Sequence, residues 1–192
     1  LVDLKKGSRE YITSGLRVYN PHFGADGKTI LAAEYLQDQT WQIQEFDLSG
    51  KRLRSLKLAG LNLVEATSVD RDGVIAFALD KSGYRSLIAA RWGSDSFTTV
   101  LPGSRNNMFS LRGDGRREIL FEAEYKGAVE IMKLNVDSRE LMQCTQSRIA
   151  AYSPSFASTA SSGLSESSEF SEFYYVEEFP YGQRLQKAAL KD

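Results

Sequence analysis

Cysteine and histidine are almost missing from this 192-residue chain, with Cys144 and His22 the single instance of each. One cysteine excludes an internal disulfide and leaves the compartment open between a reducing one and a secreted protein that manages without bridges. A surplus of either charge is missing too. Lysine plus arginine number 24 against 25 aspartate plus glutamate, a net charge of -1, so no field steers the chain toward nucleic acid or acidic lipid. A polyanionic partner is disfavoured. The longest apolar run, "VIAFAL" at residues 74–79, is far shorter than the roughly 18 residues of a membrane span, so no insertion into a bilayer is expected. The first residue is Leu1, with no basic-then-apolar leader after it. Any signal peptide therefore lies upstream or has been removed, and the segment reads as a processed or excised piece.

What the chain does have is hydrophobic content, 42%, enough for a real core. It also repeats itself. Asp-Gly recurs at residues 26–27, 72–73 and 114–115, which is 46 and then 42 residues apart. Such periods suit a blade of four strands. An Asp-Gly pair between β-rich flanks predicts a two-residue hairpin loop of type I′, in which both residues take positive φ. Phe23, Val69 and Leu111 stand three residues before the three aspartates, and "KTILAAEY", "VIAFALD" and "RREILFEAEY" follow the glycines. Third segments come next in "TWQIQEFDL", "YRSLIAARW" and "GAVEIMKLNV", and fourth ones in "KRLRSLKL", "SFTTVLP" and "RELMQCT". In "TWQIQEF", Trp41 and Ile43 alternate with Gln42 and Gln44, while Glu45 and Phe46 break the pattern. Helical periodicity is nowhere convincing, so the chain is expected to be all-β.

A fourth unit opens at "YSPSFASTASSG", where Pro154 and Phe156 match Pro21 and Phe23 but Thr159-Ala160 replaces Asp-Gly. The serine-rich residues 158–171 read as an insertion between its first two strands. "FYYVEEFPYGQRLQKAAL" then aligns with "ILFEAEYKGAVEIMKL", so the unit stops after its third strand. The opening "VDLKKG" matches "FDLSG", a third-to-fourth strand turn, making residues 8–12 a fourth strand. The expected organisation is the end of a blade over 1–13, then blades over 14–58, 59–102, 103–146 and 147–192. Either the first strand closes the ring on the last blade or the piece was cut from a larger propeller. Open edge strands call for closure or cover, and the larger propeller is favoured.

These units resemble the TolB-like, WD40-like (PD40) β-propeller repeat. Pro21, Phe23, Asp26, Gly27 and Lys28, then Asp47, Leu48 and Gly50, carry the likeness, and Asp3, Leu4 and Gly7 echo its tail. Thr67 and Phe109 depart from it where proline is expected, as does Val74 after Gly73. The resemblance implies a propeller of four-stranded antiparallel blades, found in bacterial envelope scaffolds and in propellers fused to peptidase domains. It says little about chemistry, because the matching residues build turns.

Catalytic motifs are not supported by the sequence. His22 reads as structural or surface, and "GLSES" lacks the second glycine of a nucleophile elbow. "HFGADGKT" ends like a phosphate loop but places His22 at the required first glycine and lies in a hairpin. "SVDRDG" misses the sialidase-type Asp-box by one residue, and its aspartates lack the later ligands of a calcium loop. Cys144 reads as strand packing, without metal spacing. Neither cofactor nor metal is expected.

In a four-stranded blade the second-to-third loops and the blade-to-blade loops share one end. That end would hold Arg17, Tyr19, Asn20, Tyr35, Tyr84, Arg105, Asn106, Asn107, Tyr125, Arg148, Tyr152, Phe179 and Tyr181. Such residues suit recognition, since aromatic rings contribute area at low entropy cost and arginine grips carboxylates bidentately. The alternative is that they merely end strands and cover blade edges. The expected function is a noncatalytic scaffold binding a protein or peptide partner, as a module of a larger envelope protein, with a cytoplasmic location still open. The alternatives are a propeller gating substrate for an attached peptidase domain and, more weakly, a sugar-binding propeller using Trp41 and Trp92.

Overall fold

The computed structural model describes residues 1–24, 27–157 and 172–190. The expected serine-rich insertion at 158–171 and the aspartate of the first Asp-Gly pair lie outside the described residues. Among the described residues seventeen strands follow one another with no helix between them. After a short hairpin of β1 (Val2–Asp3) and β2 (Ser8–Arg9), the strands fall into consecutive antiparallel meanders. The first contains β3 (Val18–Phe23), β4 (Thr29–Tyr35), β5 (Trp41–Asp47) and β6 (Arg52–Lys57). The second contains β7 (Asn62–Ser68), β8 (Gly73–Leu79), β9 (Arg85–Arg91) and β10 (Phe97–Leu101). The third has β11 (Met108–Gly113), β12 (Glu118–Tyr125), β13 (Ala128–Asn135) and a short β14 (Leu141–Gln143). The last described unit is β15 (Ala150–Phe156), β16 (Glu172–Phe179) and β17 (Gly182–Ala189), joined to the third by one parallel pairing of Val129 with Ala150.

Apolar side chains on both faces of the central strands drive the units together. β8, with two β-branched residues and Phe77, is buried along all its length but Leu79. This is why "TWQIQEF" breaks simple alternation: Phe46 is buried on the face opposite Ile43, and Glu45 is buried because Arg54 holds both its oxygens, at 2.5 and 3.0 Å. Between the first two units Leu31, Ile43, Leu63 and Ile88 form one core. Phe77, Leu87, Leu111 and Phe121 form another between the second and third. A smaller one, around Leu120, Ile131, Ala151 and Phe173, joins the last unit.

The second and third Asp-Gly pairs do not form two-residue type I′ loops. The ladders end at Ser68 with Val74 and at Gly113 with Ile119, leaving five-residue turns over 69–73 and 114–118. Neither Asp72 nor Asp114 takes positive φ. Carboxylates hold these turns by accepting backbone N–H groups. Asp70 Oδ1 accepts from Asp72 and Gly73 at 2.8 and 2.5 Å, and Asp114 Oδ1 from Arg116 and Glu118 at 2.6 and 3.0 Å. A Cβ at Gly73 would lie 2.9 Å from the Asp70 carboxylate, so glycine is needed for that approach. The ladders equate Phe23 with Ser68 and Gly113, not with Val69 and Leu111 as the Asp-Gly spacing suggests. The loop of the expected shape is Lys126-Gly127, with φ of 51° and 88°.

The strand expected over 8–12 is confined to Ser8–Arg9 and pairs with β1. Beyond it the chain lies against the β5–β6 turn. A Cβ on Gly50 would fall 1.7 Å from the Ile12 carbonyl oxygen, so only glycine lets the two backbones meet there.

Candidate binding surface

First strands begin, and second strands end, at the same edge of each meander. The Tyr35 N–H donates to the Arg17 carbonyl at 2.9 Å, and the Glu124 N–H to that of Asn107 at 3.0 Å. The first meander presents an aromatic group at this end. Tyr35 and Trp41 are cross-strand partners with ring centroids 4.9 Å apart, and Tyr19 lies 5.5 Å from Trp41. Tyr19 remains 48% exposed, so the group presents a face to solvent while Trp41 packs on the core beneath. Arg17 beside it is exposed.

The other expected residues are spread over the remaining units. Tyr84 is exposed and ends the β8–β9 turn, where its N–H donates to Asp80 Oδ1 at 2.9 Å. Arg105 and Asn106 are exposed, and the Asn107 side chain is held by Glu124 at 3.2 and 3.3 Å. Asn106 and Tyr125 meet on a cleft of about 330 Å³ that Ile149 also lines. The Lys126 ammonium sits 5.0 Å from the Tyr125 ring centroid. Arg148 is exposed, Tyr181 fully so, and Phe179 lies 5.2 Å under the Arg184 guanidinium. Burial, and then the carboxylates of Glu178 and Glu122, push the Tyr152 hydroxyl pKa up. Among the described residues, ring contacts join Tyr19 and Tyr35 through Trp41, whereas Tyr84, Tyr125 and Tyr181 stand singly, one to a unit.

Bulges in the first strands bring polar groups across the unit boundaries. Asn20, Ser110 and Ser153 take φ of 46°, 52° and 55° where the β3, β11 and β15 ladders shift register. Asn20 then donates to the Val64 carbonyl at 2.9 Å, and the Ser153 N–H to Glu122 Oε1 at 2.7 Å. Sequence reasoning missed the strongest of these ties. Glu65 Oε1, buried on β7, meets His22 Nε2 of β3 at 2.5 Å, the Leu111 N–H of β11 at 2.9 Å and Arg112 Nη1 at 3.3 Å. One carboxylate thus fastens three units. The available signal was a lone glutamate inside an apolar strand, in "NLVEATSV", which a blade can bury only with partners. His22 is structural, as its flanks suggested, but it is not on the surface: its side chain is 11% exposed.

Solved structures share this arrangement. TolB from Acinetobacter baumannii superposes with a TM-score of 0.65 at 21% identity, over 98% of this chain and 45% of that one. A putative TolB from Agrobacterium tumefaciens gives 0.68 at 9% identity, over 100% and 68%. The fold is a TolB-like β-propeller. The meanders are its blades, and the chain spans less than half the length of the Acinetobacter protein. A puromycin-hydrolyzing peptidase from Mycobacterium tuberculosis gives 0.62 at 8% identity, and there 97% of the chain covers only 29% of the enzyme. No protein-family model matches the sequence, nor does any curated protein. The propeller likeness therefore rests on three-dimensional form.

Proposed function

We propose that this chain is a noncatalytic propeller module that captures a protein or peptide partner on the end holding the second-to-third and blade-to-blade loops, within a larger protein of the bacterial envelope. The exposed face of Tyr19, Tyr35 and Trp41 carries the reading, because a rigid aromatic surface held on the blade suits peptide recognition, and Arg17, whose carbonyl pairs with the Tyr35 amide, is exposed at the same end. Arg105, Tyr125 and Arg148 extend it across the later blades. The rigid scaffold holds recognition groups on its loops, and that division is general. Replacing Tyr19 by alanine, and separately Arg105 with Arg148, is expected to weaken partner capture in pull-downs at least tenfold while leaving thermal unfolding within a few degrees of wild type. Unchanged capture by all three replacements overturns this face.

The likeness to the Mycobacterium tuberculosis peptidase supports a second reading, a propeller that gates substrate for a catalytic domain outside this chain. Adjoining sequence with a "GxSxG" elbow or an "HExxH" helix would support it, and finding neither removes it. The sugar-binding reading is weakened at Trp92, whose ring has the Arg54 guanidinium 4.5 Å over it.

A further inference from the structure

The aromatic group of the first blade has polar edges that the fold does not use. Among the described residues neither the Trp41 indole N–H nor the hydroxyls of Tyr19 and Tyr35 has a hydrogen-bond partner, and the one buried side-chain N or O atom left unpaired is Gln44 Oε1. All three edges are therefore open to solvent. The Arg17 guanidinium, exposed at the same end, likewise makes no hydrogen bond or ion pair among the described residues.

The rings are held in place before any partner arrives. The β4–β5 turn closes where the Leu36 N–H donates to the Thr40 carbonyl at 2.9 Å, and Asp38 Oδ1 accepts the Thr40 N–H and hydroxyl at 3.0 and 2.5 Å. Trp41 is tilted by 54° to Tyr19 and by 48° to Tyr35, so the surface is ridged, with a tyrosine on either side of the indole. The carboxylates that flank Tyr35 in this hairpin are already engaged. Asp38 also takes the Lys57 ammonium at 3.2 Å, and buried Glu34 accepts from the amides of Gln42 and Gln44, both at 2.8 Å. The Arg17 carbonyl is taken by the Tyr35 N–H. What remains is ring surface with a surplus of donors, because an indole N–H and a guanidinium can only donate.

We propose that this group binds a proline-rich segment in the polyproline II conformation, an inference that rests on the loop-face reading and narrows its partner. The donors select it. Proline has no N–H, so such a segment brings carbonyl acceptors to Trp41 and Arg17 and few donors that would be left unpaired. A strand-forming peptide brings an N–H at every residue and meets carboxylates that are already paired. A cationic ligand meets the same carboxylates and the charge of Arg17. Spacing agrees with the donors. One turn of polyproline II advances about 9 Å, and the two tyrosine rings stand no farther apart than their distances of 5.5 and 4.9 Å to Trp41 taken together. Prolines one turn apart can thus seat on either side of the indole, the way proline-rich segments use aromatic grooves.

The test is fluorescence anisotropy of the 192-residue chain with a labelled, amidated dodecapeptide of repeating Pro-Pro-Ala. The comparison peptides replace every proline by alanine, or repeat Thr-Val over the same length. The proline peptide is expected to bind about tenfold tighter than either. Trp41→Phe keeps a ring but deletes the N–H, and should weaken binding about fivefold. Tyr19→Ala removes a half-exposed ring and should weaken it about tenfold with thermal unfolding unchanged. If Trp41→Phe lowers the unfolding midpoint, Tyr19→Ala decides alone. Equal binding of the alanine or Thr-Val peptide overturns the proposal, as does full affinity in Tyr19→Ala. Tighter binding of cellohexaose than of the proline peptide would assign the rings to a sugar, and also overturns it. Loss of partner capture in Tyr19→Ala without any binding of the proline peptide would keep the loop face and discard polyproline II, which separates this failure from that of the broader reading.

Discussion

The second blade and the last described unit are built from similar meanders but sit in different surroundings. β8 packs between cores on both of its faces, and of its seven residues only Leu79 escapes burial. β17 shows little burial, with Leu185 73% exposed, and its unit meets the rest through the small cluster around Phe173. Polar ties follow the same division. Glu65 links three blades, whereas Glu122 reaches the last unit through one amide, that of Ser153. Whether a strand in this fold reads as alternating or wholly apolar is therefore set by how many neighbours its blade has.

Core truncations should break the comparison most sharply. Phe77→Ala removes a fully buried ring that meets Phe121 edge-on at 6.1 Å, and should cost about 3–5 kcal/mol. In urea it is expected to lower the midpoint of the whole transition. Phe173→Ala empties a similar volume at the sparser interface, and should split the transition so that the last unit is lost first. A single shared transition for both variants would show the two regions to be one cooperative unit. Carboxylate removal should have the next largest effect. Glu65→Ala takes the acceptor from His22 and the buried Leu111 amide and the counter-charge from Arg112, which keeps the Leu111 carbonyl at 2.8 Å, at about 3 kcal/mol. Glu122→Ala at the weaker boundary should cost about 1 kcal/mol. Equal losses in denaturation would remove the distinction between the two boundaries.

Cys144 gives the gentlest probe, because it packs against the Phe173 cluster. Burial pushes its thiol pKa up to about 11, so at pH 8 the thiol keeps its proton and alkylation waits for the interface to open. Iodoacetamide labelling should be slow in the wild type and at least tenfold faster in Phe173→Ala. A rate that ignores that substitution would mean the thiol is reached without opening the boundary.

Much of this architecture is legible in the sequence, because strand propensity and turn spacing are local properties. The four-strand rhythm follows from "KTILAAEY" and its counterparts. Turn geometry is less legible. Asp-Gly marks the right hairpins, but in the second and third blades the decisive group is a carboxylate capping backbone amides, and that shifts the register by one or two residues. The loop end is foreseeable from blade topology, and the chain does bring Tyr19 and Tyr35 together, but through Trp41, which spacing alone did not place there. Glu65 and the Arg117–Asp70 ion pair escape a linear reading for a common reason. Their partners lie 43 to 47 residues away, on other blades, and no periodicity within one blade points to them.

The pairing of each strand with its neighbour in sequence also orders events in time. Closing a hairpin over a five-residue turn takes microseconds, and a meander grows by adding the next segment to an edge already present. The contacts spanning a full blade, of which Glu65 holds several, cannot form until two such meanders exist to be joined. Topologies rich in local pairing fold quickly for their size. In this chain the docking of finished blades is expected to come late, and the buried glutamate, whose partners lie on other blades, to close as a latch at that stage.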